Sequence, residues 1–334
     1  MTQTMRVIEI SAPGGPEVLR EAIRPCPVPG PGEVLLRVQA IGLNRPDVQQ
    51  RRGLYPPPPG ASDLPGLDAA GVVAAVGPNV DPGMIGQQRC ALTNGGAYAE
   101  FCAVPVLQTM PLPEGFTAAQ AAALPEALFT AWNNVVWLGR LQPGETLLVQ
   151  GGTSGVGMAA IQIARQLFDA RVIATASTAE KRRVCLDLGA EAAVDYTAGD
   201  WPEQVRAATG GRGCDVILDA QAGPTVARHL ELLDYDGRLI LIASHQSPQS
   251  EVDTRSLVRR RLTLAGSTLR PRDAAYKGRL AEVQVAKVWP LLAQGKMHMP
   301  ICATFSFDAM QDAHRMLDAN RQIGKVVVMG PEGS

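Results

Sequence analysis

The chain is poor in the residues that announce metal or disulfide chemistry. Its six cysteines, at 26, 90, 102, 185, 214 and 302, are scattered, and no C-x-x-C occurs. That spacing argues against a disulfide framework and is expected of a cytosolic protein with reduced thiols. The four histidines (229, 245, 298 and 314) are dispersed, with no metal-type spacing. No run of 18 apolar residues is present, so no transmembrane helix is expected. The start, "MTQTMRVIEISAPGG", lacks a charged segment followed by a long apolar one, and no secretory signal is expected. Neither sign of charge dominates, with 31 basic residues against 32 acidic. This balance, and the lack of a basic-aromatic stripe, count against nucleic-acid or membrane-surface partners. Internal repeats are lacking, and low complexity is confined to "PPPP" at 56–59.

What is present divides into two grammars. At 334 residues, two domains are expected, each large enough to bury a core. Residues 1–115 carry most of the prolines, between short runs such as "MRVIEI", "EVLLRVQAIG", "AAGVVAAVG" and "YAEFCAVP". Proline neither donates to a ladder nor sits inside a helix, so this half reads as an all-β barrel with long loops. From about 126 the runs "TLLVQ", "RVIATA", "AAVDY", "DVILDA", "RLILIA" and "LTLAGS" alternate with helical patterns, among them 156–168 and 178–189. This alternation predicts a doubly wound parallel sheet of the dinucleotide-binding kind. In the tail, 274–294 reads as helical and "FDAMQDAHRMLDAN" as a capped helix with Asp308 near its start. "IGKVVVMG" reads as a lone strand able to return to the first domain. The expected division is 1–125 with 269–334, and 126–268.

The stretch "LLVQGGTSGVGMAAIQIA" at 147–164 places a glycine cluster between a strand and a helix. A phosphate cradle needs that arrangement. Amides at the helix start point outward, and the helix dipole favours an anion there by about 0.3–1 kcal/mol. Gly152 can take a left-handed turn, and Gly157 lets the helix pack close against the strand. Ser154 takes the middle place of the G-x-G-x-x-G spacing. There its side chain either crowds the pyrophosphate or offers it a hydroxyl.

The second strand ends near Ser177, where an NAD site usually has an acidic residue on the ribose 2′-hydroxyl. Here "STAEKRR" offers Ser177 and Lys181, with Arg182 and Arg183 behind. A hydroxyl and a lysine suit a 2′-phosphate, so NADPH is favoured. The same residues also read as a Ser177-x-x-Glu180 capping box.

From end to end the chain resembles the medium-chain dehydrogenase/reductase superfamily. Within it, the likeness is to zinc-independent NADPH:quinone oxidoreductases of the tumour-suppressor-inducible group. The likeness rests on "GLNRPDVQQRRGLYPPPPGASDLPGLDAAG", "ALPEALFTAW", "GGTSGVG", "STAEK" and "NRQIGKVVV". It implies a GroES-like β-barrel catalytic domain and a Rossmann domain binding NADPH. Zinc-dependent members have a cysteine where Asn44 stands and Gly-His-Glu where Gly66-Leu67-Asp68 stands. They also carry four close cysteines where residues 84–97 contain only Cys90. Neither leucine nor an asparagine amide is a useful zinc ligand, so both zinc sites are expected to be missing.

Without that Lewis acid, oxidation of simple alcohols is disfavoured, while an acceptor already electrophilic remains reducible. Negative charge develops on the acceptor oxygen, and a hydrogen-bond donor there lowers the barrier. Tyr55 and Asn44 match residues lining the family's cleft and are the catalytic candidates. The plainer readings are a Tyr55 ring packed on prolines and an Asn44 amide bracing its loop, with Asp47 ordering that loop. The resemblance further implies cofactor contacts from Asn44, Thr130, Gly152, Ser154, Gly155, Val156, Ser177, Lys181, Tyr196, Ser244, His245, Leu269, Arg270 and Asn320. Tyr196 reads equally as a buried tyrosine, and His245, in "ASHQS", as a residue that narrows the pocket or simply faces water. The expected activity is hydride transfer from NADPH to a quinone or similar conjugated carbonyl. An enone or enoyl-thioester reductase is the main rival, and an NADPH-holding structural or RNA-binding relative the second. The apolar last strand, 262–268, is expected to pair two chains into a homodimer, as in the family.

Overall fold

The computed structural model describes residues 3–331. Its first strands are β1 (Thr4–Ile10), β2 (Leu19–Pro25), β3 (Glu33–Leu43), β4 (Asp68–Val76), β5 (Gln88–Leu92), β6 (Phe101–Pro105) and β7 (Thr109–Pro111). A second set follows: β8 (Thr146–Val149), β9 (Arg171–Thr175), β10 (Ala192–Val194), β11 (Cys214–Asp219), β12 (Leu233–Leu241) and β13 (Thr263–Gly266). The last are β14 (Ile301–Phe305) and β15 (Lys325–Met329). The chain forms two compact units, one made of the residues up to Phe129 together with those from Arg270 onward, the other Thr130–Leu269.

In the first unit β1 and β2 pair antiparallel, and a larger sheet runs β14-β15-β3-β4-β5-β7 with β6 also on β3. β3 organises this sheet. One edge of it takes β4; the other takes β6 along Glu33–Arg37 and β15 along Ala40–Leu43. Only Glu33, Arg37 and Gln39 of β3 are half-buried; its other eight residues are apolar or glycine and buried, as in a strand covered on both faces. The core gathers Val34, Leu36, Ile41, Val73 and Val104 with Phe307, Leu317 and Val326. The lone terminal strand read from "IGKVVVMG" is β15, and it does return to this unit.

In the second unit the parallel sheet runs β10-β9-β8-β11-β12-β13. Numbered within the unit this is 3-2-1-4-5-6, the order of doubly wound dinucleotide-binding domains. The topological switch lies between β8 and β11, which pair in parallel. β8, "TLLV", is wholly buried, and Leu148, Ile173, Ile217 and Leu239 pack with Val226 and Leu230 from a covering helix. β13 closes one edge of the sheet, with Leu264 partly exposed on it.

Helix boundaries moved little from the sequence reading. The first helix after the glycines spans Gly155–Phe168 and the next Ala179–Asp187. The expected helix over 274–294 is interrupted by a π-helical turn at Gln284–Val288. Pro290 brings no N–H to the helix, and the hydrogen-bond register widens in the turn before it. No helix among the described residues is long and apolar enough to cross a membrane.

Candidate functional site

The candidate residues fall into two groups, one in each unit. In the second unit, the turn after β8 sits at the carboxyl ends of the strands, beside the switch point, where ligands of such sheets bind. Ser154 is the N-cap of helix Gly155–Phe168. Its hydroxyl accepts from the Gly157 N–H at 3.0 Å and donates to the Gly151 carbonyl at 2.9 Å. The middle place of the glycine spacing is therefore a cap, and with φ −70° it has no need of glycine. The cap leaves the N–H groups of Gly155 and Val156 at the head of the helix, the arrangement that receives a phosphate.

The left-handed residue of the turn is Gly151, at φ +79°, and not Gly152 as the sequence suggested. Gly152 is needed for space: a Cβ there would lie 2.6 Å from Cys185 Sγ and 2.9 Å from Ala174 Cβ. At Gly157 it would lie 2.4 Å from the Gly151 carbonyl oxygen, so the helix does press on the turn. Thr175, at the end of β9, was missed from sequence. Its hydroxyl accepts from the Gly151 N–H at 3.1 Å and its carbonyl from the Gly152 N–H at 2.9 Å, pinning the turn. Asp219, at the end of β11, was also missed. Its buried carboxylate accepts from the Gln221 and Ala222 N–H groups and holds Ala222 in the left-handed region. Burial works to raise its pKa, but His229 alongside, and then these two N–H groups, hold it below the usual carboxylate value.

The helix cap after β9 is Thr178, whose hydroxyl accepts from the Lys181 N–H at 3.2 Å. This corrects the alternative Ser177 capping box: Thr178 has the extended backbone a cap requires, and Ser177 precedes it. Arg182 pairs with Asp195 at 2.7 Å and Arg183 with Asp187 at 2.9 Å. Ser177 and Lys181 are half-buried. Tyr196 is exposed, which removes the buried-tyrosine alternative. Ser244 and His245 lie exposed beyond β12, with the His245 N–H on the Ala220 carbonyl. Thr130 accepts at its carbonyl from the Asn134 amide at 2.7 Å, just before the π-helical run Trp132–Leu138. Leu269 is half-buried.

In the first unit Asn44, Asp68 and Lys325 form one buried cluster. The Asn44 amide donates to Asp68 at 2.9 Å and to the Gly42 carbonyl at 3.2 Å. Lys325 donates to Asn44 Oδ1 and, at 3.1 Å, to Asp68. Both amide hydrogens of Asn44 and its oxygen are thus engaged, and its side chain serves here as a brace. Asp68 also accepts from the Glu126 N–H at 2.7 Å. Burial pushes its pKa up, against the pull of Lys325 and Asn44. Asp47 is buried as well and accepts from the Asn44 N–H at 2.8 Å and the Gly66 N–H at 3.1 Å. Burial drives its pKa up to about 7.

This cluster does not fit a zinc ion. Leu67 offers no donor atom, and the oxygens of Asn44 and Asp68 already face an ammonium. No group of three or more His, Cys, Asp or Glu side chains able to hold a metal occurs among the described residues.

Arg270 is buried, and its contacts stay within the first unit. It donates to the Asn94 carbonyl at 3.0 Å, to Gln50 at 2.9 Å and to the Tyr55 carbonyl at 3.4 Å. Lys277, also buried, donates to Asn94 and to the Arg270 carbonyl. Asn320 is the left-handed C-cap of helix Met310–Ala319, and its side chain accepts from Arg45 at 3.0 Å.

A barrel unit of this form, joined to a doubly wound unit with a capped glycine turn, defines a nicotinamide-dependent oxidoreductase. Comparisons with known proteins agree. An alcohol dehydrogenase GroES-like domain matches residues 30–114 and a zinc-binding dehydrogenase domain residues 155–284. The chain is 30% identical to the human synaptic vesicle membrane protein VAT-1 homolog, over 98% of this chain and 87% of that one. It is 32% identical to a mycocerosic acid synthase-like polyketide synthase of Mycobacterium tuberculosis, over 97% of this chain but 15% of that one. Among solved structures, an NAD-dependent alcohol dehydrogenase superposes with TM-score 0.84 at 33% identity, covering 97% and 99% of the two chains. A mycobacterial quinone oxidoreductase does so with TM-score 0.83 at 31% identity and the same coverage. A mycobacterial protein in complex with NADPH gives 0.84 at 30%, again covering 97% and 99%. The chain belongs to the medium-chain dehydrogenase/reductase superfamily, in its quinone oxidoreductase-like group.

Proposed function

We propose that this oxidoreductase is an NADPH-dependent, zinc-independent quinone reductase. The observation that carries the reading is the Asn44–Asp68–Lys325 cluster. It puts a fixed ammonium between Asn44 and Asp68, where zinc-dependent relatives carry a cysteine and the Glu of Gly-His-Glu, so the acceptor has to be electrophilic without a Lewis acid. Quinones and conjugated carbonyls meet that demand. The likeness to a mycobacterial quinone oxidoreductase and to a mycobacterial protein holding NADPH supports both halves of the reading.

NADPH, when bound, supplies the hydride. The chain's own residues bind and orient. The Gly151–Val156 turn receives the pyrophosphate on the helix N-terminus, and Ser177 and Lys181 receive the 2′-phosphate, whose charge a carboxylate would repel. Thr130, Tyr196, Ser244, His245, Leu269 and Asn320 are assigned further cofactor contacts. Tyr55 is assigned the hydrogen bond to the acceptor oxygen, where negative charge develops, and Asn44 the framing of that place. The units up to Phe129 with Arg270 onward, and Thr130–Leu269, are assigned the acceptor and the cofactor respectively. A homodimer paired through β13 and a cytoplasmic location complete the proposal.

The second reading, an enone or enoyl-thioester reductase, is favoured by the likeness to the polyketide synthase. A third, a relative that holds NADPH with little turnover, is compatible with the likeness to the VAT-1 homolog. Steady-state NADPH oxidation against ortho- and para-quinones and enones separates the three. Saturable quinone turnover supports the proposal; enone-only turnover supports the second reading, and tight NADPH binding without turnover the third. Elemental analysis of the same preparation is expected to find no stoichiometric zinc, and one zinc per chain would overturn the zinc-independent reading.

A further inference from the structure

Ala222, in the turn after β11, stands at φ +52°. An alanine adopts that region at a cost, a glycine at almost none. Neighbouring groups hold it there. Its N–H donates to Asp219 Oδ2 at 3.1 Å, its carbonyl accepts from the Thr225 hydroxyl at 2.8 Å, and it bridges to Ser247 in parallel. The other Asp219 oxygen accepts from the Gln221 N–H at 2.7 Å. The carboxylate is fully buried. His229, on the helix Thr225–Leu232, brings Nδ1 to 3.3 Å from Oδ2 and packs edge-on against Trp201. Asp219 is thus a fixed point to which the turn is fitted.

The turn carries another segment with it. The His245 N–H donates to the Ala220 carbonyl at 3.2 Å, and the Gln246 N–H to the Gln221 carbonyl at 2.9 Å. A Cβ on Gly223 would lie 2.9 Å from Ser247 Cβ, so the segments press together with no space for a side chain between them. Residues 220–223 are therefore a template for residues 244–247. Both segments follow the carboxyl ends of β11 and β12, across the switch point from β9 with its Ser177 and Lys181. A doubly wound sheet gives each mononucleotide of a dinucleotide its own half. With the adenosine phosphate assigned to the end of β9, the half holding β11 and β12 is left for the nicotinamide.

We propose that Asp219 is a positioning residue for the nicotinamide half of the cofactor. By holding Ala222 left-handed, it keeps residues 220–223 in the form on which residues 244–247 dock. The effect on the cofactor rests on the assignment of Ser244 and His245 made in the reading above; the docking of the segments does not. A turn released from the carboxylate spends only part of its time in the docked form, and apparent affinity falls by that fraction. Asparagine is no substitute: its oxygen accepts from one N–H, and its amide nitrogen then faces the other donor.

The test is titration of the protein with NADPH and with adenosine 2′,5′-bisphosphate, which carries the adenosine half with its 2′-phosphate and no nicotinamide. Asp219→Asn is expected to weaken NADPH about tenfold, the scale of a charge-assisted hydrogen bond. The bisphosphate is expected to stay within about twofold, as for a change remote from its site. Adding Ala222→Gly to Asp219→Asn restores NADPH to within about threefold of the native value, because glycine takes a positive φ without the carboxylate. Thr225→Val removes only the hydroxyl on the Ala222 carbonyl. It gives the same selective loss at about threefold, and keeps the test open if Asp219→Asn fails to fold. Amide exchange at His245 and Gln246 in the nucleotide-free protein follows the same order: faster in Asp219→Asn and Thr225→Val, native-like again in the double variant. Equal loss of both probes, or no recovery on Ala222→Gly, would overturn the proposal. If the native protein binds neither probe, the NADPH reading falls, and the exchange rates still decide whether Asp219 docks the segments.

Discussion

Arg270 places its guanidinium 5.2 Å from the centre of the Tyr55 ring and donates to the carbonyl of that same residue. Through Gln50, which donates to the Asp63 carbonyl at 2.9 Å, it also reaches the far end of the proline-rich loop. One buried guanidinium therefore fastens both ends of the segment that presents Tyr55. Arg270→Ala is expected to raise the acceptor KM about tenfold, the scale of one cation–π contact with a hydrogen bond. NADPH affinity stays within about twofold, on the scale of a surface substitution, and Arg270→Lys recovers only part of the loss. Steady-state kinetics with fluorescence titration of NADPH checks this. A drop in cofactor affinity instead would return Arg270 to the cofactor contacts that the resemblance implied.

Lys325→Met should be severe for stability. It leaves Asp68 fully buried without its ammonium, a situation that costs roughly 3–5 kcal/mol. Lys325→Met with Asp68→Asn should recover much of that loss, because the carboxylate no longer needs a counter-charge. Urea unfolding of both variants decides it. A single variant as stable as the native chain would mean that Asp68 is already neutral.

Cofactor preference should turn on the end of β9. Ser177→Asp with Lys181→Ala is expected to weaken NADPH by about tenfold or more while changing NADH little, since a carboxylate repels a 2′-phosphate and accepts from a 2′-hydroxyl. Isothermal titration with both nucleotides measures the ratio. An unchanged ratio would place the phosphate elsewhere.

His314 gives stability a pH dependence of known sign. Its pKa is about 3 in the fold and 6.5 as the ordinary value. The unfolded chain binds this proton first, so stability is whole above 6.5 and falls as the pH drops from there toward 3. The slope is on the order of 1 kcal/mol per pH unit from this residue alone. Asp47, raised to about 7, slopes the other way between its ordinary 3.8 and 7. The comparison of the native protein with His314→Gln by urea unfolding from pH 4 to 7 isolates the histidine. The variant is expected to lose less stability on acidification; parallel curves would contradict a neutral, buried ring.

The doubly wound unit was legible because its strands are short apolar runs such as "TLLV" and "DVILD", each followed by a helical pattern. The glycine turn was legible in place but not in detail. Spacing cannot tell a glycine needed for its φ, Gly151, from one needed for space, Gly152, because the crowding atoms belong to Cys185 and Ala174. Likewise Ser177 and Thr178 are both caps by residue type, and only the backbone chooses. Asn44 was legible as a candidate, but its engagement was not, since Lys325 lies 281 residues away. The Arg51–His314 contact spans 263 residues, and nothing in the spacing of four dispersed histidines marks it.

The place of β15 has a consequence for how the protein is made. It lies between β14 and β3, so the sheet of the first unit has a vacancy until Lys325–Met329 has been synthesised, after the whole of the parallel unit. The parallel unit, complete by Leu269, is free to fold first. Until Lys325 arrives, Asp68 waits without its ammonium and β3 without the partner of its second half. The nascent sheet is then at its most exposed to mispairing, which makes the arrival of β15 the step that closes it.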